Sequence, residues 1–196
     1  MQWDNNITGI LLAGGKSSRM GREKGLIRLG KSYLYQYPLK VLEHFCNEIL
    51  ISTCNKLDIR ENYQQICDEV PGRGPAGGIS TCLLKSSSEL NIILSYDLPF
   101  VDIRLVRFLI DSIEDYDVVV PTAIPGKVEP LCGIYKKQVG ETMKELINSG
   151  EYAVHKVFQK VRTRIIAIDD SFSFYTSRLF LNINSEEDLS DLSGDF

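Results

Sequence analysis

The sequence predicts a three-layer α/β fold with a mostly parallel central sheet. Short apolar runs of strand length alternate with segments of helical pattern along most of the 196 residues. The apolar runs are nearly continuous, as in strands that are buried on both faces of a parallel sheet. Glycines or acidic residues follow several of these runs. No internal repeat or low-complexity linker divides the chain, so we expect one domain over residues 1–196.

The first predicted strand covers residues 7–12 and leads into a glycine-rich, basic loop that ends at Lys24. Gly14 and Gly15 follow the strand and allow the backbone to approach a ligand closely. Two hydroxyls and several cations come next, among them Ser17, Ser18, Lys16, Arg19 and Lys24. Backbone N–H groups, hydroxyls and cations in one loop form an anion cradle, which a nucleoside triphosphate requires. The alternative is a plain strand-to-helix turn with solvated charges.

Residues 25–32, GLIRLGKS, match the GxxxxGKS pattern of a P-loop. A P-loop follows a buried strand and has small turn-forming residues between its glycines, whereas this segment follows a loop and has a bulky interior. We therefore reject the match. We predict an extended piece, a turn at Gly30–Lys31 and a helix from about Ser32 to Phe45.

In the middle of the chain, two apolar runs are each followed by an acidic residue. A second strand is predicted at 48–53, and a short apolar piece ends at Asp68. A second glycine-rich stretch, 70–80, opens a helix to about Leu84. A third buried strand begins at Asn91 and ends at Asp97. Ligands of open α/β sheets bind at the carboxyl ends of the strands, so Asp97 is a candidate ligand-binding residue.

The rest of the chain continues the alternation. Asp102 caps a predicted helix that ends at about Ile113. The other predicted elements are a strand at 117–121, an extended segment at 128–135, helices at 137–148 and 152–160, a strand at 164–168, and an apolar segment at 180–185 with a helix from Ser185.

Together, these features favour phosphoryl or nucleotidyl transfer. The cations after the first strand can balance triphosphate charge, Asp97 can hold Mg²⁺, and Asp68 can accept hydrogen bonds from ligand hydroxyls or base N–H groups. No Ser/His/Asp or Cys/His set is evident in the sequence. Nucleotidyl transfer needs mainly positioning and charge stabilisation. Each acid has a plainer interpretation, Asp97 as a turn former and Asp68 as a cap.

The composition indicates which kinds of partner the protein binds and in which cellular compartment it works. A net charge of −4 argues against a nucleic-acid surface and makes the loop cations a local feature, suited to a small anion. We expect no signal peptide, no membrane span and a cytoplasmic location. The five cysteines are Cys46, Cys54, Cys67, Cys82 and Cys132, and we expect them all to be buried free thiols.

Several motifs with their spacing resemble the molybdenum cofactor guanylyltransferase family. They are Leu12-Ala13-Gly14-Gly15-x-Ser17-x-Arg19-Met20-Gly21-x-x-Lys24, Asp68, Gly74-Pro75-x-Gly77-Gly78, Tyr96-Asp97-Leu98-Pro99-Phe100 and Asn182-Ile183-Asn184. The resemblance covers nearly the whole chain and implies a Rossmann-like nucleotidyltransferase fold. The first motif is shared with sugar-phosphate and cytidylyl enzymes. The LAGG, GP-x-GG and NIN motifs together restrict the resemblance to the guanylyl branch of these enzymes.

This resemblance implies GMP transfer from GTP to molybdenum-loaded molybdopterin with Mg²⁺, releasing pyrophosphate. The N-terminal part would bind GTP and the C-terminal part molybdopterin, with molybdoenzymes or delivery chaperones as further partners. The implied roles are backbone contact with the nucleotide by Leu12, Ala13, Gly14 and Gly15, phosphate binding by Lys24, charge stabilisation by Arg19, guanosine binding by Asp68, nucleotide and Mg²⁺ binding by Asp97, and a place on the molybdopterin side for Asn182 and Asn184. The two asparagines could instead only tie down a loop.

Two departures from the family pattern accompany the resemblance. Glu23 precedes Lys24 where the family usually has Asp, which keeps a carboxylate there. A family asparagine at the end of the second strand falls at about Ser52, with Asn55 nearby, so the residue that faces the base stays open. The alternatives are a cytidylyl or sugar-phosphate nucleotidyltransferase, and a non-catalytic nucleotide-binding protein that delivers the cofactor.

Overall fold

The computed structural model describes residues 6–14, 27–54, 59, 63–68, 72–124, 126–184 and 188. Its strands are β1 (Ile7–Leu12), β2 (Arg28–Leu29), β3 (Ser32–Tyr33), β4 (Glu48–Ser52), β5 (Gln64–Ile66), β6 (Leu90–Ser95), β7 (Val118–Ile124), β8 (Lys127–Val128), β9 (Cys132–Lys136) and β10 (Thr163–Ala167). Its α-helices are α1 (Gln36–Phe45), α2 (Gly74–Lys85), α3 (Ile103–Asp111) and α4 (Val139–Asn148), and a 3₁₀ helix spans Val154–Gln159.

The described part of the chain forms a central eight-stranded sheet in the order β10-β7-β9-β6-β1-β4-β5, with β8 paired to β7. Strand β1 is parallel to both neighbours, β4 and β6, and the pairs β4–β5 and β7–β10 are also parallel. Strand β9 is antiparallel to β6 and β7, and β8 is antiparallel to β7. The mostly parallel sheet predicted from the sequence is therefore confirmed.

The registers align the ends of four strands. Leu12 lies opposite Ser52 on one side and Ser95 on the other, and Ser52 lies opposite Ile66. Strands β1, β4, β5 and β6 therefore end level with one another. We call this side of the sheet the carboxyl edge.

Two hydrophobic clusters cover the two faces of the sheet. Leu11 of β1 belongs to the cluster that contains the buried residues of α1 and α3. Ile10 and Leu12 of the same strand belong to the cluster with α2, α4 and the 3₁₀ helix. All six residues of β1 are buried, because successive side chains of a strand point to opposite faces and both faces are covered. The result is the predicted three-layer arrangement.

The prediction of a helix from Ser32 was wrong at its start. Ser32 and Tyr33 form β3, which pairs antiparallel with β2 around a turn where Gly30 has a φ of 60°. The Leu34 N–H continues this hairpin by donating to the Ile27 carbonyl at 2.8 Å, so helix α1 begins only at Gln36. In a P-loop, the Lys-Ser pair opens a helix, whereas here it opens a strand. The hairpin supports our rejection of the P-loop match.

The cap predicted at Asp102 is confirmed, because its Oδ1 accepts from the Arg104 backbone N–H at 2.7 Å. The strand predicted at 117–121 extends to Ile124, and the helix predicted at 152–160 is a 3₁₀ helix. The helix predicted from Ser185 falls on residues that, except for Asp188, lie outside the described ones.

The expectation of five free cysteines was wrong for two of them. Cys54 and Cys67 form a disulfide, and both residues are exposed rather than buried. They are 13 residues apart in sequence, yet they meet because β4 and β5 are parallel neighbours that end at the same edge. Cys46, Cys82 and Cys132 are free thiols, as expected, and burial raises the pKa of each to about 12.

None of the helices in the described ranges is both long and apolar enough to cross a bilayer.

Candidate active site

The end of β1 is fixed to its neighbours at the carboxyl edge by backbone hydrogen bonds. The Ala13 N–H donates to the Ser52 carbonyl at 3.0 Å, and the Tyr96 N–H donates to the Leu12 carbonyl at 3.1 Å. These bonds hold Leu12, Ala13 and Gly14 between the ends of β4 and β6. The chain therefore leaves β1 between two parallel neighbours. Three of its predicted site residues, Gly15, Arg19 and Lys24, lie outside the described residues.

Asp68 lies two residues after β5, half-buried against the first turns of α2. A Cβ atom on Gly77 would be 3.1 Å from Asp68 Oδ2, and one on Gly78 would be 3.1 Å from Oδ1. The glycine pair thus makes room for the carboxylate. Burial raises the pKa of Asp68, and the hydrogen bond from the Ser52 hydroxyl opposes that rise.

This contact indicates what Ser52 does in the fold. Its side chain is buried and close to both Asp68 and Gly78, so the hydroxyl holds the carboxylate in place. Asn55, the other residue considered for the base, lies outside the described residues. The sequence did not reveal the Ser52–Asp68 contact because it depends on the pairing of β4 with β5.

Gly78→Ala tests the packing beneath Asp68. The added Cβ would overlap the Ser52 hydroxyl oxygen and crowd Asp68 Oδ1. We expect a loss of about 1–3 kcal/mol in the free energy of unfolding, as for overpacked sites, and a weakened affinity for nucleotide. Denaturant unfolding and calorimetric titration with GTP measure the two effects. Lys85→Ala, at the exposed last residue of the same helix, is the control, and an equal response of both variants would contradict this packing.

Asp97 stands two residues after β6 and is half-buried. Its backbone carbonyl accepts a hydrogen bond from the Ile183 N–H at 3.0 Å. This bond brings the segment 182–184 to the end of β6, although almost ninety positions separate them in sequence. The structure therefore places Asp97 beside the pair of asparagines that the family resemblance assigns to the second substrate.

The two asparagines differ in their surroundings. Asn182 is half-buried, and its Nδ2 is 3.5 Å from the Phe180 carbonyl that accepts from it. Asn184 is exposed, and its backbone N–H donates to Asp188 Oδ2 at 2.6 Å. Both asparagines therefore make hydrogen bonds within their own loop, as expected if they only tie that loop down. The loop itself lies next to Asp97.

Glu129 is a second carboxylate near Asp97 that was not predicted from the sequence. Its side chain is only 13% exposed and lies 3.5 Å from Lys127 Nζ. Burial raises the pKa of Glu129, Lys127 opposes the rise, and the negative charge of Asp97 adds to it. Glu129 precedes β9, an antiparallel strand that starts at the carboxyl edge. Only a lone acidic residue at the start of an apolar, extended stretch marked it in the sequence.

Arg73 contributes a cation at the start of α2. Its guanidinium stacks 4.5 Å from the centre of the Tyr152 ring and also donates to the Tyr152 hydroxyl. Its Cβ would lie 3.4 Å from a Cβ added to Gly77, which places Arg73 next to the Asp68 pocket. The edge therefore combines acidic groups with a guanidinium held by an aromatic ring.

The carboxylates suit a divalent cation that is shared with a substrate. Within the described ranges, no group of three or more His, Cys, Asp or Glu side chains could hold a metal ion by itself. Mg²⁺ in nucleotide sites commonly takes one or two carboxylates and completes its shell with phosphate oxygens and water. Asp97, with Glu129 nearby, fits that donor set.

The raised pKa of Asp68 predicts that the ionised carboxylate lowers the free energy of unfolding at neutral pH. A carboxyl whose pKa is raised by folding favours the folded state when protonated, and this contribution is lost as the pH rises through the folded pKa. Asp68→Asn removes the ionisation and keeps the shape. We expect the variant to melt at a higher temperature than the unmodified protein at pH 7, with the difference shrinking as the pH falls towards 4.

Thermal melts of both proteins across this pH range measure the effect. Asp111→Asn, at the exposed last residue of α3, is the control. A difference in melting temperature that grows at low pH would contradict the assignment.

Comparison with protein-family models and curated proteins places the chain among nucleotidyltransferases. Residues 9–165 match the family model "MobA-like NTP transferase domain". The chain is 33% identical to a protein of Flavobacterium johnsoniae over 95% of its own length and 96% of the relative's length. It is 32% identical to a protein of Carboxydothermus hydrogenoformans over 95% of each chain. Both are named "Probable molybdenum cofactor guanylyltransferase".

Solved structures show the same fold. The molybdopterin-guanine dinucleotide biosynthesis protein A from Archaeoglobus fulgidus superposes with a TM-score of 0.81 at 21% identity, covering 96% of this chain and all of that one (100%). The 2-C-methyl-D-erythritol 4-phosphate cytidylyltransferase from Thermus thermophilus superposes with a TM-score of 0.71 at 14% identity, covering 94% and 96%. At these identities the likeness concerns the fold alone. On the strength of the family model and the curated relatives, the chain belongs to the MobA-like NTP transferase family.

Proposed function

We propose that the protein transfers GMP from GTP to the terminal phosphate of molybdenum-loaded molybdopterin, forming molybdopterin guanine dinucleotide and pyrophosphate. The hydrogen bond from the Ile183 N–H to the Asp97 carbonyl carries this proposal. It joins the nucleotide side of the carboxyl edge to the segment expected on the acceptor side. Two sites side by side are what a transfer between two substrates requires. The names of the curated relatives support the choice of substrates.

The N-terminal part of the chain forms the GTP half of the proposed site, within one domain over residues 1–196. Leu12, Ala13, Gly14 and Gly15 contact the nucleotide through the backbone. Lys24 binds phosphate. Asp68, held by Ser52 against the glycines of α2, accepts hydrogen bonds from the guanosine portion.

The transfer needs no covalent intermediate with the protein. An oxygen of the acceptor's terminal phosphate forms a bond to the α-phosphorus of GTP, and the bond from that phosphorus to the bridging oxygen of pyrophosphate breaks. Arg19 and Lys24 stabilise the charge that develops on the phosphates. Asp97 would hold Mg²⁺, which neutralises phosphate charge when bound. Asp97 thus positions the phosphates relative to the incoming acceptor.

The C-terminal part forms the acceptor half. Asn182 and Asn184 contribute to the molybdopterin side, and this assignment is supported by the hydrogen bond of their neighbour Ile183 to Asp97. The product passes to molybdoenzymes or to the chaperones that deliver the cofactor to them. We place the reaction in the cytoplasm, where GTP is abundant.

A nucleotide panel tests the proposal. Purified protein with Mg²⁺ and molybdenum-loaded molybdopterin is given GTP, CTP, ATP or UTP, and pyrophosphate release is measured. Only GTP should give turnover, and only when the acceptor is present. Turnover with CTP alone would indicate a cytidylyltransferase. Turnover with a sugar phosphate as acceptor would indicate that class, and binding of GTP without turnover would indicate a cofactor-delivery protein.

A further inference from the structure

The disulfide between Cys54 and Cys67 lies at the carboxyl edge, directly beside the proposed nucleotide site. Cys54 follows β4 by two residues, and Cys67 is the residue between β5 and Asp68. The Thr53 N–H donates to the Ile66 carbonyl at 2.8 Å, so the cross-link continues the last contact between the two strands. Its Cα atoms are 4.3 Å apart. The bond therefore fixes the segment on which Asp68 stands.

Strand β5 is short, and only Ile66 of its three residues is buried in the core. It is three residues long and lies at the end of the sheet, paired only with β4 within the described ranges. An edge strand of this length is held by a handful of backbone bonds. A cross-link at its carboxyl end limits how far Cys67 and Asp68 can separate from Ser52. The hydrogen bond between Ser52 and Asp68 depends on that separation.

The two disulfide-bonded residues also differ from the three free cysteines in their exposure to solvent. Cys54 and Cys67 are exposed, whereas Cys82 and Cys132 are buried and Cys46 is half-buried beneath Gly9. Thiol–disulfide exchange requires access of an attacking thiolate to a sulfur atom. Burial also raises the pKa of the other three thiols, so they are protonated and unreactive near neutral pH. Among the five cysteines, only this pair is suited to exchange.

We propose that Cys54 and Cys67 form a reversible redox modification site that sets the affinity of the Asp68 pocket for nucleotide; this inference rests on the proposed GTP-binding function. Exposed disulfides of proteins from reducing compartments are commonly transient and redox-sensing. In the oxidised form, Asp68 is held against Ser52 and the α2 glycines. In the reduced form, the backbone bonds to β4 and the packing of Ile66 hold β5 without the cross-link, and the carboxylate is less well positioned for the guanosine.

The exchange balances with a low-molecular-weight dithiol as reductant. A dithiothreitol thiolate bonds to one sulfur atom of the pair, the Cys–Cys bond breaks, and the released sulfur takes a proton. The second dithiothreitol thiol then attacks the mixed disulfide and releases the other cysteine as a thiol. The protein gains two electrons and two protons, and dithiothreitol becomes a cyclic disulfide. Glutathione disulfide accepts the same electrons in the reverse direction.

The test compares full-length protein after treatment with glutathione disulfide and after treatment with dithiothreitol. Alkylation under denaturing conditions and mass spectrometry count the free thiols, with three expected after oxidation and five after reduction. Calorimetry with GTP and Mg²⁺ then gives the Kd. We expect reduction to raise the Kd about three- to tenfold, because one charge-assisted hydrogen bond becomes poorly placed. The thermal midpoint should also fall by about 6–12 °C.

Variants assign the effect to this pair. The double variant Cys54→Ser/Cys67→Ser should show, under both treatments, the higher Kd expected for the reduced protein. Cys46→Ser, which leaves the pair intact, should respond as the unmodified protein does. Five free thiols after oxidation, or one Kd for both forms of the unmodified protein, would overturn the inference.

A further readout separates this inference from the proposed function. Hydrogen exchange of residues 64–68 without nucleotide should be slower in the oxidised protein, whatever nucleotide the protein uses. If GTP binds in neither form, the proposed function fails, and the exchange rates still decide the redox inference. Equal exchange rates in the two forms would overturn it.

Discussion

Asp97→Asn is expected to lower kcat for GMP transfer by about a thousandfold, as for the loss of a group that stabilises charge in the transition state. Asp97 is half-buried just after β6, where its charge acts on Glu129 and its backbone carbonyl accepts from the Ile183 N–H. Asparagine has the same shape but lacks the negative charge that would hold Mg²⁺ against the phosphates. Pyrophosphate release at saturating GTP and acceptor measures the effect. The Kd for GTP should change much less than kcat.

Asp111→Asn is the matched control for this change. Asp111 is the exposed last residue of α3. Its variant should keep the full kcat. The thermal midpoints of both variants show whether either change disturbs the fold. An Asp97→Asn enzyme that keeps more than about a tenth of the kcat would show that this carboxylate does not act in the transfer.

The second large effect is expected at Lys24. Lys24→Ala should raise the Kd for GTP about 10- to 100-fold, because it removes a charged donor to phosphate. Lys31→Ala provides the contrast, since Lys31 is exposed in the turn of the β2–β3 hairpin. It should change the Kd less than about twofold. Titration calorimetry with GTP measures both variants, and the reverse result would restore residues 25–32 as the phosphate-binding loop.

The three layers and the mostly parallel sheet could be predicted because burial and the alternation of strands with helices leave local signals, whereas the antiparallel direction of β8 and β9 could not. The continuous apolar run of β1 predicted burial on both faces, and all six of its residues are buried. Asp102 marked the start of α3 by the chemistry of its side chain. The start of α1 was misplaced because the extended conformation of Ser32–Tyr33 depends on pairing with β2. Pairing between segments leaves little trace in local sequence pattern.

In the candidate site, too, residues with a local sequence signal could be predicted and residues placed by strand pairing could not. Asp68 and Asp97 could be expected at one edge of the sheet, because both follow parallel strands; their roles stay predictions. Glu129 was missed because it precedes an antiparallel strand, so its edge follows from strand direction rather than from residue type. The Cys54–Cys67 bond was missed because its partners meet across two paired strands.

The fate of labelled phosphorus in GTP tests the central claim most directly. GTP labelled at the α-phosphorus or at the γ-phosphorus is incubated with the protein, Mg²⁺ and molybdenum-loaded molybdopterin, and the products are separated. The α-label should move to the pterin product in proportion to the acceptor added, and the γ-label should appear only in pyrophosphate. Release of the γ-label as inorganic phosphate, or an α-label that never joins the pterin, would contradict GMP transfer by this protein.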